Sequence, residues 1–195
     1  MVADRKRCWM SVEEYLELER AHPDTRYEYL DGEAIAIAGG TIDHGRIVLN
    51  VAKWLDDRLQ HPCHVYTSDI KVQLNASRYT YPDVHVSCDE ADWQGQQEAI
   101  YAPKLIIEVL SHSTEAHDRG KKFLYYQELA SIREYVLINW QRQLAETYQR
   151  ENGKWIYQRY EPEELVEFAS VQLETPMSVI YANSTVPMKE VPEQE

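Results

Sequence analysis

Two acidic residues in segments that otherwise read as buried strands are the positions best suited to chemistry. Glu108 lies in the run LIIEVL, where its five neighbours are all aliphatic. An unpaired carboxylate in such surroundings is costly to bury and takes up a proton rather than staying charged. Glu108 must therefore be paired, hydrogen-bonded, neutral or bound to a metal, and an ordinary structural ion pair is one of these alternatives.

The second acid, Asp83, follows Pro82 in the run TYPDVHV. Proline cannot donate to a strand ladder and prefers an interruption, and Asp83 alternates with Val84 on the opposite face. If the strands at 80–87 and 104–110 pair, Asp83 and Glu108 lie side by side. Two carboxylates about 4 Å apart repel by roughly 1–4 kcal/mol. A hard divalent cation, Mg²⁺ or Mn²⁺, removes that repulsion, so the pair predicts a metal site.

A basic residue is expected near such a pair, and the helix predicted from about Glu115 to Ala130 carries two lysines. Lys122 shares an i, i+4, i+7 stripe with apolar residues, which favours a position facing the sheet. Lys121 falls on the other side of the helix. The spacing favours Lys122 without excluding Lys121, and a surface pair between Asp118 and Lys122 is the alternative.

The elements that must position these residues read as an α/β fold with a mixed sheet flanked by helices. A capping box at Ser11–Glu14 begins the first helix. The pairs Asp31-Gly32 and Asn152-Gly153 predict an N-terminal and a C-terminal hairpin. No GxGxxG or GxxxxGK[ST] loop is present, which disfavours a nucleotide-binding fold. We expect a single domain over residues 1–185, with a loose tail at 186–195.

Composition sets limits on partners and compartment. The 195 residues carry 20 Lys and Arg against 33 Asp and Glu, a net charge of −13, which repels bulk nucleic acid and anionic membranes. Binding of phosphate must then be local. The three cysteines are an odd number, far apart and without CxxC spacing, so neither a disulfide framework nor a zinc site is expected, and a reducing cytoplasm is the default. No apolar run approaches the ~18 residues of a membrane span.

Two long runs carry a family resemblance. RYEYLDGEAIAIAGGTIDHGRIVLNV and IIEVLSHSTEAHDRGKKFLYYQELASIREYVLIN, with TYPDVHV between them, are similar to a bacterial family of restriction-endonuclease-like proteins, the Uma-two family, which is abundant in photosynthetic bacteria. The resemblance covers about residues 10–160. The family is placed in the PD-(D/E)XK nuclease superfamily, so it implies a restriction-endonuclease-like core and Mg²⁺-dependent cleavage of phosphodiester bonds.

The resemblance also implies roles for individual residues. Asp83 and Glu108 match the two acids that hold the metal. Leu110 stands where the superfamily lysine is expected, and the lysine of the DRGKK stretch, Lys122, takes its place. Glu33, in the YLDGE turn, resembles the family's upstream acid, which would be a further metal ligand or hold a water. A solvated hairpin residue is the alternative for Glu33. For His44, a capping or core role is favoured over catalysis.

The expected partner is nucleic acid, DNA rather than RNA, and no membrane. The acidic balance favours one alternative, a weakly active or inactive oligomeric binding or regulatory module of the same fold. A small-molecule Mg²⁺ phosphoesterase would use the same residues and is the other alternative. The Tyr- and Trp-bearing strands at 143–160 predict a subunit contact, and so a homodimer.

Overall fold

The computed structural model describes residues 9–37 and 39–188. In this part of the chain the helices are α1 (Val12–Ala21), α2 (Ile42–Asp56), α3 (Glu115–His117), α4 (Phe123–Glu128) and α5 (Met177–Ile180). The strands are β1 (Tyr27–Leu30), β2 (Glu33–Ala36), β3 (His64–Thr67), β4 (Lys71–Asn75), β5 (Arg78–Thr80), β6 (Val84–Ser87), β7 (Ala99–Ile100), β8 (Pro103–Val109), β9 (Glu134–Ile138), β10 (Ala145–Glu151), β11 (Lys154–Tyr160), β12 (Leu165–Phe168) and β13 (Leu173–Pro176).

The strands form two mixed sheets and a small hairpin. The larger sheet has the order β11-β10-β9-β8-β6-β3, with β8 and β9 parallel and its other pairs antiparallel. The second sheet has the order β2-β1-β5-β4-β7, and β12 pairs with β13. The α/β class with mixed sheets and flanking helices is thus confirmed. Both predicted hairpins are present as β1–β2 and β10–β11.

The two faces of the six-stranded sheet build separate cores. On one face, Leu105 and Ile107 of β8 pack in a cluster with Ile47 and Val51 of α2. On the other face, Ile106 packs in a second cluster that includes residues of α4 and of the five-stranded sheet. Because side chains alternate along a strand, Glu108 shares the second face with Ile106. A carboxylate is therefore carried into an apolar core.

The helix predicted from Glu115 to about Ala130 differs from the one observed. It ends at Glu128, because Leu129 has an extended backbone, with φ −84° and ψ 114°. Its central turn, Asp118–Lys122, is π-helical. Such wide turns are rare and are frequent at functional sites. The residues of this turn that are buried are Asp118 and Lys122.

The cysteine spacing predicts no disulfide framework, but the structure corrects the inference of reduced cysteines, since Cys63 and Cys88 are joined. The pairing of β3 with β6 brings His64 opposite Ser87, and the next residue outward on each strand is a cysteine. Spacing along the chain could not show this contact, because it depends on the register of two strands.

Two observations concern the chain ends and membranes. Of the predicted tail, residues 189–195 lie outside the described part, while the carbonyls of Val186 and Pro187 accept hydrogen bonds from Gln143. Within residues 9–37 and 39–188, no helix has the length and apolar character needed to cross a membrane.

Candidate active site

Strand pairing brings the two predicted acids together. Val84 of β6 is opposite Ile107 of β8 in an antiparallel pair, so Asp83, which precedes β6, reaches β8 at the level of Glu108. The backbone N–H of Val109 donates to Oδ2 of Asp83 over 2.8 Å. The predicted pairing of these two segments is confirmed, and it places one acid beside the other.

Lys122 is the lysine that meets Glu108. Its Nζ lies 2.9 Å from Oε1 of Glu108, 2.8 Å from Oε1 of Glu28 and 3.7 Å from Oδ1 of Asp118. The Lys122 side chain is only 6% exposed. Lys121 is exposed, with its ammonium over the ring of Tyr125. Helix phase leaves both lysines open, and the structure shows that Lys122, rather than Lys121, contacts Glu108.

Neighbouring groups hold the two glutamates in place. The hydroxyl of Tyr126, one turn beyond Lys122, donates to Oε1 of Glu108 over 2.9 Å. The backbone N–H of Tyr81 donates to Oε1 of Glu28 over 3.2 Å. Hydrogen bonds that restrain both acceptors leave Lys122 little freedom to move, because its ammonium lies between them.

The site carries more negative than positive charge. Burial raises the pKa of Glu108 well above its ordinary value, Lys122 opposes this, and the charges of Asp118 and Asp83 add to the rise. Burial lowers the pKa of Lys122, but Glu108 and Glu28 outweigh it and hold that pKa well above the usual range. The shift of Glu108 therefore comes first from burial, and that of Lys122 from the carboxylates around it. Several carboxylates around a single ammonium favour binding of a further cation.

His44, in the first turn of α2, contacts the other acid. Its Nε2 lies 3.3 Å from Oδ2 of Asp83, and both side chains are largely buried. Burial lowers the pKa of His44, but the hydrogen bond to Asp83 and the charge of that carboxylate outweigh it and raise that pKa above its ordinary value. The expected capping or core role is therefore incomplete, because the ring also touches a site acid.

The donor set suits a small hard cation. The contacts described above use Oε1 of Glu108 and Oδ2 of Asp83. Their other oxygens, Oε2 of Glu108 and Oδ1 of Asp83, are the atoms that would ligate a cation. Mg²⁺ is usually held by one or two carboxylates together with waters and substrate phosphates. Among the described residues, no group of three His, Cys, Asp or Glu is arranged to hold a metal ion. Any cation would therefore depend on these two carboxylates and on oxygens from water or substrate.

One acid of the site escaped sequence reasoning. Glu28 on β1 is buried and bound to Lys122, whereas the predicted upstream acid, Glu33, is half-buried at the start of β2 opposite Leu30. The signal was present in YEYL, because Glu28 alternates onto the same face as Leu30, whose side chain is in the core. A role for Glu33 remains a prediction.

Comparison with known proteins agrees with this architecture. The fold, two mixed sheets with flanking helices, is similar to the crystal structure of "a putative nuclease belonging to DUF820" from Anabaena variabilis. The TM-score is 0.72, with 18% identity, over 88% of this chain and 97% of that one. This likeness shows a shared fold, of the restriction-endonuclease-like type.

Sequence comparison defines the family. Residues 12–179 match the model of the Uma2 family, described as "Putative restriction endonuclease". The chain is 35% identical over 175 residues to the uncharacterized protein slr1290 of Synechocystis sp., covering 88% of this chain and 91% of that protein. It is 32% identical over 144 residues to sll1609 of the same organism, covering 72% and 81%. The protein belongs to the Uma2 family.

Proposed function

We propose that this protein is an Mg²⁺-dependent endonuclease that hydrolyses phosphodiester bonds of nucleic acid, with DNA preferred over RNA. The observation that carries the proposal is the buried Glu108, which lies beside Asp83 on paired strands and is held 2.9 Å from the ammonium of Lys122. Membership in a nuclease family and the nuclease-like fold support the same reaction class.

Asp83 and Glu108 would hold the cation, and Mn²⁺ could replace Mg²⁺. When bound, such a cation lowers the pKa of a water and stabilises the leaving oxygen. Lys122 keeps Glu108 in position and supplies positive charge where negative charge grows on the phosphate. Glu28 and Asp118 hold Lys122 in its charged form. Glu33 is retained as a candidate further ligand of the cation or holder of a water.

The overall charge of −13 shapes how substrate must bind. Repulsion between this surface and a phosphate backbone is relieved only locally, by the cation and by lysines close to the site. The exposed Lys121, next to the buried Lys122, is one such residue. We therefore expect that both the binding of nucleic acid and its cleavage require the divalent cation.

The proposal is tested with the full chain, supercoiled plasmid, single-stranded DNA and RNA, in Mg²⁺ or Mn²⁺. We expect nicking by the wild type and a loss of at least about a hundredfold in Asp83→Asn, since removing a metal ligand removes the site. The matched control is Asp57→Asn, an exposed carboxylate at the end of α2, which should cleave like the wild type. Equal cleavage by wild type and Asp83→Asn would refute the proposal.

The same assay separates the alternatives. Turnover of bis(p-nitrophenyl) phosphate without cleavage of any polymer selects a small-molecule phosphoesterase. A folded wild type that turns over neither substrate selects the inactive binding or regulatory module, for which the acidic surface is the supporting observation.

Two further features belong to the proposal. We propose a homodimer through the β10–β11 hairpin, where Ile156 and Tyr157 of β11 are exposed. Sedimentation as a monomer at micromolar concentration would exclude this dimer.

A cytoplasmic location is kept as a proposal from the sequence alone. The bond between Cys63 and Cys88 removes the argument that the cysteines gave for a reducing compartment.

A further inference from the structure

The first turn of α2 comes from a different part of the chain than either acid, yet it reaches one of them. Nε2 of His44 lies 3.3 Å from Oδ2 of Asp83, the oxygen that also accepts the backbone N–H of Val109. A carboxylate oxygen accepts hydrogen bonds, so this contact is a hydrogen bond when Nε2 of His44 carries a proton.

We propose that His44 is a positioning residue that fixes the carboxylate of Asp83. Two donors, His44 Nε2 and the N–H of Val109, converge on Oδ2 and prevent rotation of the carboxylate. The other oxygen, Oδ1, is then presented to a cation or to the reacting phosphate. This inference rests on the proposed function of the site, and it adds a residue that acts through Asp83 without contact with substrate.

The helix that carries His44 is itself held in place at this end. Thr41 caps α2 by accepting from the backbone N–H of His44 over 3.2 Å. Asp43 accepts from the backbone N–H and the hydroxyl of Thr185, in a segment remote in sequence. The first turn of α2 is therefore a fixed support, which is what a positioning residue requires.

The loop before α2 contains two glycines. The ring of His44 occupies the space that a side chain would need at only one of them. A Cβ on Gly40 would lie 2.6 Å from Nδ1 and 2.7 Å from Cγ of His44, whereas one on Gly39 would meet nothing within 4 Å. An alanine at Gly40 must displace the imidazole. The adjacent glycines thus provide a matched pair of substitutions that move or spare His44 without changing it.

The first experiment measures Mn²⁺ binding by electron paramagnetic resonance on the folded full chain, beside plasmid cleavage. We expect His44→Leu to weaken Mn²⁺ binding and cleavage by about tenfold or more, the usual effect of removing such a support. His44→Gln retains an N–H donor and should recover most of both. Gly40→Ala should resemble His44→Leu, and Gly39→Ala the wild type, with circular dichroism showing that all four fold.

Wild-type Mn²⁺ affinity in His44→Leu, or equal effects of Gly40→Ala and Gly39→Ala, would overturn the inference. Mn²⁺ binding that depends on His44 in a chain that cleaves nothing would leave the positioning role intact and refute the nuclease proposal.

A second measurement needs neither metal nor turnover. Long-range proton–nitrogen NMR of the wild type should show a proton on Nε2 of His44, and Asp83→Asn should shift the resonances of that ring. A neutral ring protonated only on Nδ1, or a ring unaffected by Asp83→Asn, would show that His44 does not hold Asp83.

Discussion

Oε1 of Glu28 lies 2.8 Å from Nζ of Lys122, so an acid of the five-stranded sheet and an acid of the six-stranded sheet, Glu108, share one ammonium. The lysine comes from a third element, the π-helical turn between α3 and α4. This contact ties the two sheets together at the site. It also means that the charge on Lys122 is part of the fold as well as of the proposed chemistry.

Removing that charge should be costly to stability. Lys122→Met leaves Glu28 and Glu108 buried without their cation, and breaking one partner of a buried ion pair typically costs about 3–5 kcal/mol in the free energy of unfolding. The neighbouring Lys121→Met, at an exposed site, should stay within about 0.5 kcal/mol of the wild type. Urea unfolding measures both, and similar losses for the two variants would contradict the assigned roles.

The identity of the upstream acid can be decided by a paired substitution. Glu28→Gln retains an oxygen for the N–H of Tyr81 but removes the charge facing Lys122, so we expect a loss of roughly 1–3 kcal/mol of stability, as for a hydrogen bond to a charged group, and slower cleavage. Glu33→Gln is the comparison, measured by the same unfolding and plasmid assays. A larger effect on cleavage at Glu33 would restore the sequence-based prediction and reduce Glu28 to a structural acid.

The disulfide gives a redox-dependent stability. Cys63 and Cys88 are 25 positions apart, and in the entropic account closing a loop of that size raises the free energy of unfolding by about 3.5 kcal/mol. Denaturant unfolding should show a loss of that order on adding dithiothreitol. The double variant Cys63→Ser, Cys88→Ser should start at the lower stability and respond no further. Thiol titration of the unreduced, denatured wild type that finds all three cysteines free would refute the bond.

The first hairpin depends on a glycine for two separate reasons. Gly32 has φ +95°, a region that other residues adopt only with strain, and a Cβ there would lie 2.4 Å from the ring of Trp9. We expect Gly32→Ala to lower the unfolding midpoint by an amount equivalent to about 1–3 kcal/mol. Gly95→Ala, with ordinary φ and nothing within 4 Å, is the control. Thermal unfolding measures both, and an unchanged midpoint in Gly32→Ala would show that the turn tolerates a side chain.

Short sequence patterns are sufficient to predict the helix starts and turns that are set by residues a few positions apart. The capping box is present, with Ser11 and Glu14 each accepting from the backbone N–H of the other. Asp31 and Gly32 form the predicted turn with positive φ at both positions. Such signals are readable because hydrogen bonds between residues two to four positions apart need no information from the rest of the chain.

The helix after β8 shows a feature that short sequence patterns do not predict. Its periodicity favours a position of Lys122 toward the sheet, and the structure buries that side chain, but the same periodicity does not predict the π-helical turn at Asp118–Lys122. A wide turn leaves no regular spacing in the sequence. Its position next to Glu108 is a property of packing.

By itself, the sequence determined that Glu108 lies in an apolar strand and that Asp83 follows a proline beside another strand, and its helical spacing favoured Lys122 over Lys121 as the lysine that faces inward. Burial of a charge and the alternation of side chains are properties of short segments, so composition and spacing report them. Only the tertiary structure decided that Glu28 shares Lys122, that His44 meets Asp83 and that Cys63 bonds to Cys88. Each of those contacts joins segments distant along the chain, and strand register and helix docking, which set such distances, are decided by the packing of the whole domain.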